Sequence, residues 1–147
     1  MSTPVSASTT IAAPPATVFA ILSDARQHPR IDGSGTVLGV AQAPDRLELG
    51  SQFSMRMKQG AKYTTPNTVV EFEQDRLIAW KHFAPQRWRY QLEPTADGGT
   101  RVTETWDVSG YPIGARQVVR ALFARKTQAG IEQTLVTLKQ AAEADAS

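Results

Sequence analysis

The sequence predicts an α+β domain in which a curved antiparallel sheet of about seven strands wraps around one long C-terminal helix, with two short helices after the first strand. Three observations carry this expectation. Apolar residues alternate in short runs between residues 52 and 108, and turn residues separate the runs. Residues 113–144 contain no proline and keep helical spacing. A proline pair, Pro14-Pro15, opens a short stretch of helical spacing near the N-terminus.

Taken in order, residues 5–11 alternate loosely and are rich in Ser and Thr, which suits an exposed first strand. Proline is tolerated at a helix start, where its missing N–H would be unbonded anyway, and Val18, Phe19, Ile21 and Leu22 then form an apolar face that ends near Asp24. Residues 25–31 give a second brief helical turn before Asp32-Gly33-Ser34-Gly35, a turn signal. Residues 36–41 read as a strand, 43–45 as a loop, and Gly50 as a turn. Phe53, Met55 and Met57 share one strand face, with Ser54, Arg56 and Lys58 on the other. Residues 63–73 form a long strand, with Val70 and Phe72 facing opposite to Val69, Glu71 and Glu73. Pro66 weakens the start of that strand or places it at an edge. A tight turn at 74–76 leads into a strand over 77–83, and Trp88, Tyr90 and Leu92 alternate in the next. After the turn at 96–99, residues 100–108 put Val102, Glu104, Trp106 and Val108 on one face. Strands joined by such short turns form an antiparallel meander.

The terminal helix carries two apolar faces. Val118, Leu122 and Ala129 share one, and Ile131, Leu135, Leu138 and Ala142 share another that points elsewhere. A straight helix does not bury both against one sheet, so a bend or a change of packing partner is expected between Ala124 and Gly130. A twisted meander encloses a single helix incompletely, and the space left over forms an apolar pocket.

Composition narrows the function classes. The net charge of +2 gives no dense basic patch for nucleic acid, so no nucleic-acid partner is expected. The absence of cysteine excludes disulfides, thiolate metal sites and cysteine nucleophiles. No apolar run reaches membrane-spanning length, and the N-terminus lacks the pattern of a signal peptide. A single cytoplasmic domain over residues 1–147, monomeric or homodimeric, follows as the expectation. No HExxH or comparable ligand spacing appears, Asp32-Gly33-Ser34-Gly35 matches no phosphate or dinucleotide loop, and no GxSxG is present. Neither a metal nor a cofactor is therefore expected.

The stretch Ile11-Ala12-Ala13-Pro14-Pro15-Ala16-Thr17-Val18-Phe19-Ala20-Ile21-Leu22-Ser23-Asp24 resembles the opening of the START-like (SRPBCC) superfamily, which includes polyketide cyclases, dehydratases and lipid-transfer proteins. The turn Asp32-Gly33-Ser34-Gly35 is similar to that of its actinobacterial members. Val70-Glu71-Phe72, Ile78-Ala79-Trp80 and Gly99-Thr100-Arg101-Val102-Thr103-Glu104 resemble its strands. Gly130-Ile131-Glu132, followed by Leu135 and Leu138, resembles its final helix. The resemblance implies the helix-grip fold, also called Bet v 1-like, over nearly the whole chain. Its motifs are fold motifs, and fold alone does not assign chemistry.

The residues themselves supply the candidates. Phe53, Met55, Met57, Phe72, Trp80, Trp88, Tyr90, Val102 and Trp106 on the sheet, with Leu122 on the helix, make an adaptable apolar lining for a hydrophobic ligand such as a lipid, a polyketide-like or an aromatic compound. Glu104 falls in phase with Val102 and Trp106, and burial of its carboxyl suits a general acid or base. His82 is the second proton-transfer candidate, in phase with Ile78 and Trp80. His28 precedes Pro29 near the expected mouth, and Arg116, Arg120, Arg125 and Lys126 form a basic run on the helix. Three functions remain open: a carrier of a hydrophobic ligand, a cyclase- or dehydratase-type enzyme using Glu104 or His82, and a protein-interaction module.

Overall fold

The structure, a computed structural model, describes residues 5–82 and 84–147. Its elements run β1 (Val5–Ile11), α1 (Pro15–Leu22), a 3-10 turn (Ala25–Gln27), α2 (His28–Ile31), β2 (Val37–Gln42), β3 (Gln52–Gln59), β4 (Ala61–Glu73), β5 (Leu77–Lys81), β6 (Arg87–Pro94), β7 (Thr100–Asp107) and α3 (Ile113–Ala146). The seven strands form one antiparallel sheet in the order β1-β7-β6-β5-β4-β3-β2, so the meander is closed at one end by the first strand lying beside the last. This is the helix-grip arrangement. Because Val5 pairs with Trp106 and Ile11 with Thr100, β1 is held along its full length. Val5 and Ile11 are buried, so the first strand is less exposed than its Ser and Thr content implies.

Local chemistry sets the connections. Pro15 opens α1, and the Ser23 hydroxyl at its end donates to the Phe19 carbonyl at 2.8 Å. The Asp24 carboxylate accepts from the Arg26 amide at 3.0 Å and caps the 3-10 turn. After α2, the chain passes so close to α3 that a Cβ on Gly33 would stand 2.3 Å from the Thr134 backbone nitrogen. Only glycine permits that approach, and the Gly33 amide uses it to donate to the Thr134 hydroxyl at 2.9 Å.

One long strand departs from simple alternation. Thr65, Asn67 and Val69 of β4 point inward, and then the register with β5 slips between Val69 and Glu71. The extra residue reverses the phase. Val69 and Phe72 therefore both turn to the core, where Phe72 meets Phe19 edge-on at 5.5 Å, instead of lying on opposite faces. Glu71 turns outward and bridges Arg87 and Arg89, and Arg89 also reaches Asp107 at 2.9 Å. Pro66 sits in the part of β4 that pairs with β3 alone, since the pairing with β5 begins at Thr68, so its missing donor costs no ladder bond on that side. The strand expected over 77–83 ends at Lys81, and Phe83 lies outside the described residues.

The terminal helix is continuous, and the divide lies in what it packs against. Every buried residue of α3 belongs to its second half: Ile131, Thr134, Leu135, Leu138, Ala141 and Ala142. These meet β1, α1 and α2, while the Arg30 guanidinium forks onto Asp145 and the Thr137 hydroxyl donates to the Ile31 carbonyl. In the first half, Val118 and Leu122 face away from the sheet. The expected change of packing partner is present, but the Val118–Leu122–Ala129 face is not buried.

Gly33→Ala should lower stability by about 1–3 kcal/mol in urea unfolding, because backbone atoms and not a flexible side chain occupy the Cβ position. Gly114→Ala, whose Cβ position is open, should leave the midpoint unchanged or raise it.

Candidate functional site

The first half of α3 spans the concave sheet without filling it, and a half-enclosed cavity of about 490 Å³ lies between them. Its sheet wall is built by strand alternation. Phe53, Met55 and Met57 come from β3, Tyr63, Thr65 and Asn67 from β4, Trp80 from β5, Trp88 and Tyr90 from β6, and Glu104 and Trp106 from β7. His28 and Ile31 close one end. Val119, Phe123, Lys126, Thr127 and Gly130 supply the helix side.

Cross-strand register brings the aromatic rings together. Trp88 lies between Trp80 and Trp106, and Tyr90 lies opposite Glu104. The rings then touch in sequence, with centroids 5.4 Å apart for Trp80–Tyr90 and 6.2 Å for Trp88–Trp106. His28 is part of this wall and not of the mouth. It stacks on Trp80 at 4.6 Å and meets Phe53 edge-on, while its Nε2–H donates to the Leu22 carbonyl at 2.9 Å. Burial holds its pKa below the ordinary histidine value, so the ring is neutral.

Three polar side chains stand out within the apolar lining. The Glu104 carboxyl is 3% exposed, and its Oε1 has no hydrogen-bond partner. Burial pushes its pKa up to about 8, and the nearby Asp32 charge adds to the rise. The Tyr90 hydroxyl offers a hydrogen bond to the carboxylate and only partly offsets this. Glu104 is thus a neutral acid at pH 7. His82 stands just past the end of β5, where the Trp88 indole N–H donates to its Nε2 at 3.2 Å. An indole only donates, so Nε2 is the acceptor and the proton of the neutral ring sits on Nδ1. That Nδ1 is buried without a partner, and burial lowers the His82 pKa. The Asn67 amide donates to the Thr65 carbonyl at 3.1 Å, which leaves its Oδ1 buried and unpaired.

Most sequence candidates therefore converge on one cavity: Phe53, Met55, Met57, Trp80, His82, Trp88, Tyr90, Glu104 and Trp106 all line it. Three do not. Leu122 is 69% exposed on the far side of α3, because the helix turns that face outward. Val102 is fully buried in the core, and Phe72, shifted by the β4 bulge, packs on Phe19. Sequence reasoning missed Thr65 and Asn67, which share the period-two pattern but not its apolar character. It also missed Gly130, a glycine inside a helix with room beside it. Among the described residues, no cluster of three or more His, Asp or Glu side chains is placed to hold a metal.

Comparison with known proteins gives three findings. A family model for "Polyketide cyclase / dehydrase and lipid transport" matches residues 2–143. The uncharacterized protein Rv0088 of Mycobacterium tuberculosis is 40% identical over 138 residues, which cover 91% of this chain and 62% of that protein. The chain thus spans less than two thirds of that relative. Among solved structures, protein CV1439 of Chromobacterium violaceum superposes with a TM-score of 0.73 at 17% identity, covering 97% of this chain and 99% of the other. The polyketide cyclase-like protein Cgl2372 of Corynebacterium glutamicum gives 0.61 at 23% identity, covering 99% and 95%.

The raised Glu104 pKa predicts a pH signature. The folded state keeps a proton that the unfolded chain has released, so this group's contribution to stability falls as pH rises from the ordinary carboxylate range to about 8. His28 and His82, whose pKa values are lowered, act in the opposite sense, and their effect fades as pH rises above the ordinary histidine value of 6.5. Between about 7.5, where the unfolded imidazoles have lost most of their protons, and about 8 the loss should therefore belong mainly to Glu104, with a slope of up to about 1.4 kcal/mol per pH unit. Urea unfolding across that window should show the slope in the native protein, and Glu104→Gln should flatten it.

Proposed function

This chain belongs to the polyketide cyclase/dehydrase and lipid transport family, and from that premise we propose that it binds a hydrophobic small molecule in the cavity between sheet and α3. The observation that carries the reading is the continuous aromatic and methionine wall around a half-enclosed space of about 490 Å³, within the range of small-molecule sites. A lipid tail, a polyketide-like chain or a fused aromatic compound suits such a lining. Glu104, His82 and His28 are neutral at pH 7, while Asp32 and Lys126 also stand on the lining, so a largely apolar occupant that keeps any polar group beside those two avoids burying an unpaired charge. Gly130 supports the same reading. A glycine in a helix interior costs about 1 kcal/mol relative to alanine, and no neighbour demands its small size apart from the cavity it borders.

A second reading rests on Glu104. A carboxyl with a pKa of about 8 beside an apolar cavity is suited to give a proton to a departing hydroxyl or to an enolate oxygen. In this reading the protein is a dehydratase or cyclase, with Glu104 as general acid and the Nδ1–H of His82 as hydrogen-bond donor to a substrate oxygen. A base role for Glu104 needs the ionised form, which is the minor one at pH 7.

Gly130→Phe should fill the cavity. Native mass spectrometry and tryptophan fluorescence titrations with fatty acids and hydroxylated anthraquinones should show saturable binding to the native chain. Affinity should fall at least about tenfold in the variant, with its thermal midpoint retained. Absence of binding across both classes, or equal affinity in the variant, contradicts the reading. For the enzymatic reading, Glu104→Gln should remove product formation from poly-β-keto or β-hydroxy thioesters and leave affinity for them within about threefold.

A further inference from the structure

We propose that the first half of α3 docks the protein onto an anionic lipid bilayer surface, through an apolar stripe of Val118, Leu122 and Ala129 flanked by Arg125 and Lys126. This inference is independent of what the cavity holds. It starts from a face that the fold leaves uncovered. At 100° per residue, Leu122 lies about 160° around the helix from Leu138, which is fully buried against the sheet side. Val118 is 57% exposed and Leu122 69%. Of the eight large apolar side chains most exposed among the described residues, four (Ile113, Val118, Leu122 and Phe123) fall within this one stretch of helix. The solvent face of the second half carries Glu132, Gln133 and Gln140, with Val136 as its one large exposed apolar side chain among the described residues. The exposed apolar character is therefore concentrated in the first half, four side chains against one.

Charge indicates what covers it. Between Asp107 and Glu132 there is no acidic residue, while Arg116, Arg120, Arg125 and Lys126 are all basic. Arg116 is spent on the carbonyls of Ser109 and Tyr111, so the argument rests on Arg125 and Lys126, both exposed. They stand three and four residues beyond Leu122, one on each side of the stripe. A second copy of this chain docked face to face would oppose two acid-free basic segments and is disfavoured. An anionic bilayer complements both features at once: apolar side chains enter the boundary between headgroups and acyl chains, and the flanking cations stay at headgroup level. Val119, Phe123 and Lys126 on the adjoining face line the cavity, so docking in this orientation brings the cavity rim to the membrane surface.

The test is co-sedimentation of the full chain with extruded vesicles of phosphatidylcholine alone, or with phosphatidylglycerol in roughly a 3:1 ratio. Binding is expected to the anionic vesicles at low salt, much weaker binding to neutral ones, and a loss with added salt. Arg125→Gln should reduce the partition coefficient about fivefold, the factor that one cation contributes near such a surface. Leu122→Asp should abolish partition while thermal unfolding is unchanged, since that side chain is exposed in the native state. The proposal is overturned by an absence of partition to anionic vesicles at low salt, or by partition that Leu122→Asp leaves intact. A concentration-dependent dimer that Leu122→Asp dissociates, without vesicle binding, overturns it in favour of contact between copies.

Discussion

A single helix has to cover the concave face of a seven-stranded sheet, and α3 does so by burying side chains of its second half, with Val119 and Ala124 of the first half only partly buried. Ile131, Leu135 and Leu138 lock the second half against β1, α1 and α2. The Gly33 backbone approaches α3 closely enough to exclude a Cβ, and the Arg30–Asp145 ion pair adds a half-exposed tie at the far end. Such a pair is worth little by itself, so apolar packing is the main constraint. Once this half is fixed, the first half is carried out over the sheet as a continuous rod. The space beneath it is the cavity. One packing decision thus accounts for the anchor, the void, and the helix face turned away from both.

The same geometry shapes the electrostatics. Inward positions on β5 to β7 are withdrawn from water whatever residue occupies them, and Glu104 occupies one. Its neutrality follows from burial more than from any neighbour, and Tyr90 across the strand pair does not reverse it. His28 and His82 are discharged by the same withdrawal. The outer face of the sheet behaves in the opposite way. There Glu71, Arg89 and Asp107 keep their charges by pairing with each other in partial contact with water. The aromatic wall of the cavity thus carries proton-bearing neutral groups, and its charged side chains, Asp32 and Lys126, come from the α2–β2 connection and from α3.

How much of this was legible in the sequence depended on whether the signal was local. Period-two alternation in β3, β6 and β7 placed Phe53, Met55, Trp88, Tyr90, Glu104 and Trp106 on the inward face, because alternation is a property of one strand alone. The β4 bulge was hidden, since a slip of register belongs to the pairing of two strands. Phe72 and Val69 were assigned to opposite faces for that reason, when both turn to the core. The helix periodicity marked two apolar faces correctly but gave no partner for either, and Leu122 was assigned to the ligand when it faces outward. Thr65 and Asn67 were missed because a cavity wall tolerates polar residues that a filled core would exclude. His28 was placed at the mouth because the stacking on Trp80 that buries it arises only in three dimensions.

The division of α3 is the claim on which the cavity and the docking face both depend. Amide hydrogen exchange followed residue by residue along the helix tests it most directly. Amides around Ile131 to Ala142 should open only with global unfolding, because that half is part of the core. Those around Val118 to Thr127 should exchange at least about a hundredfold faster through local opening over the cavity. Uniform protection from one end of the helix to the other would show that both halves are packed alike, and would contradict the account.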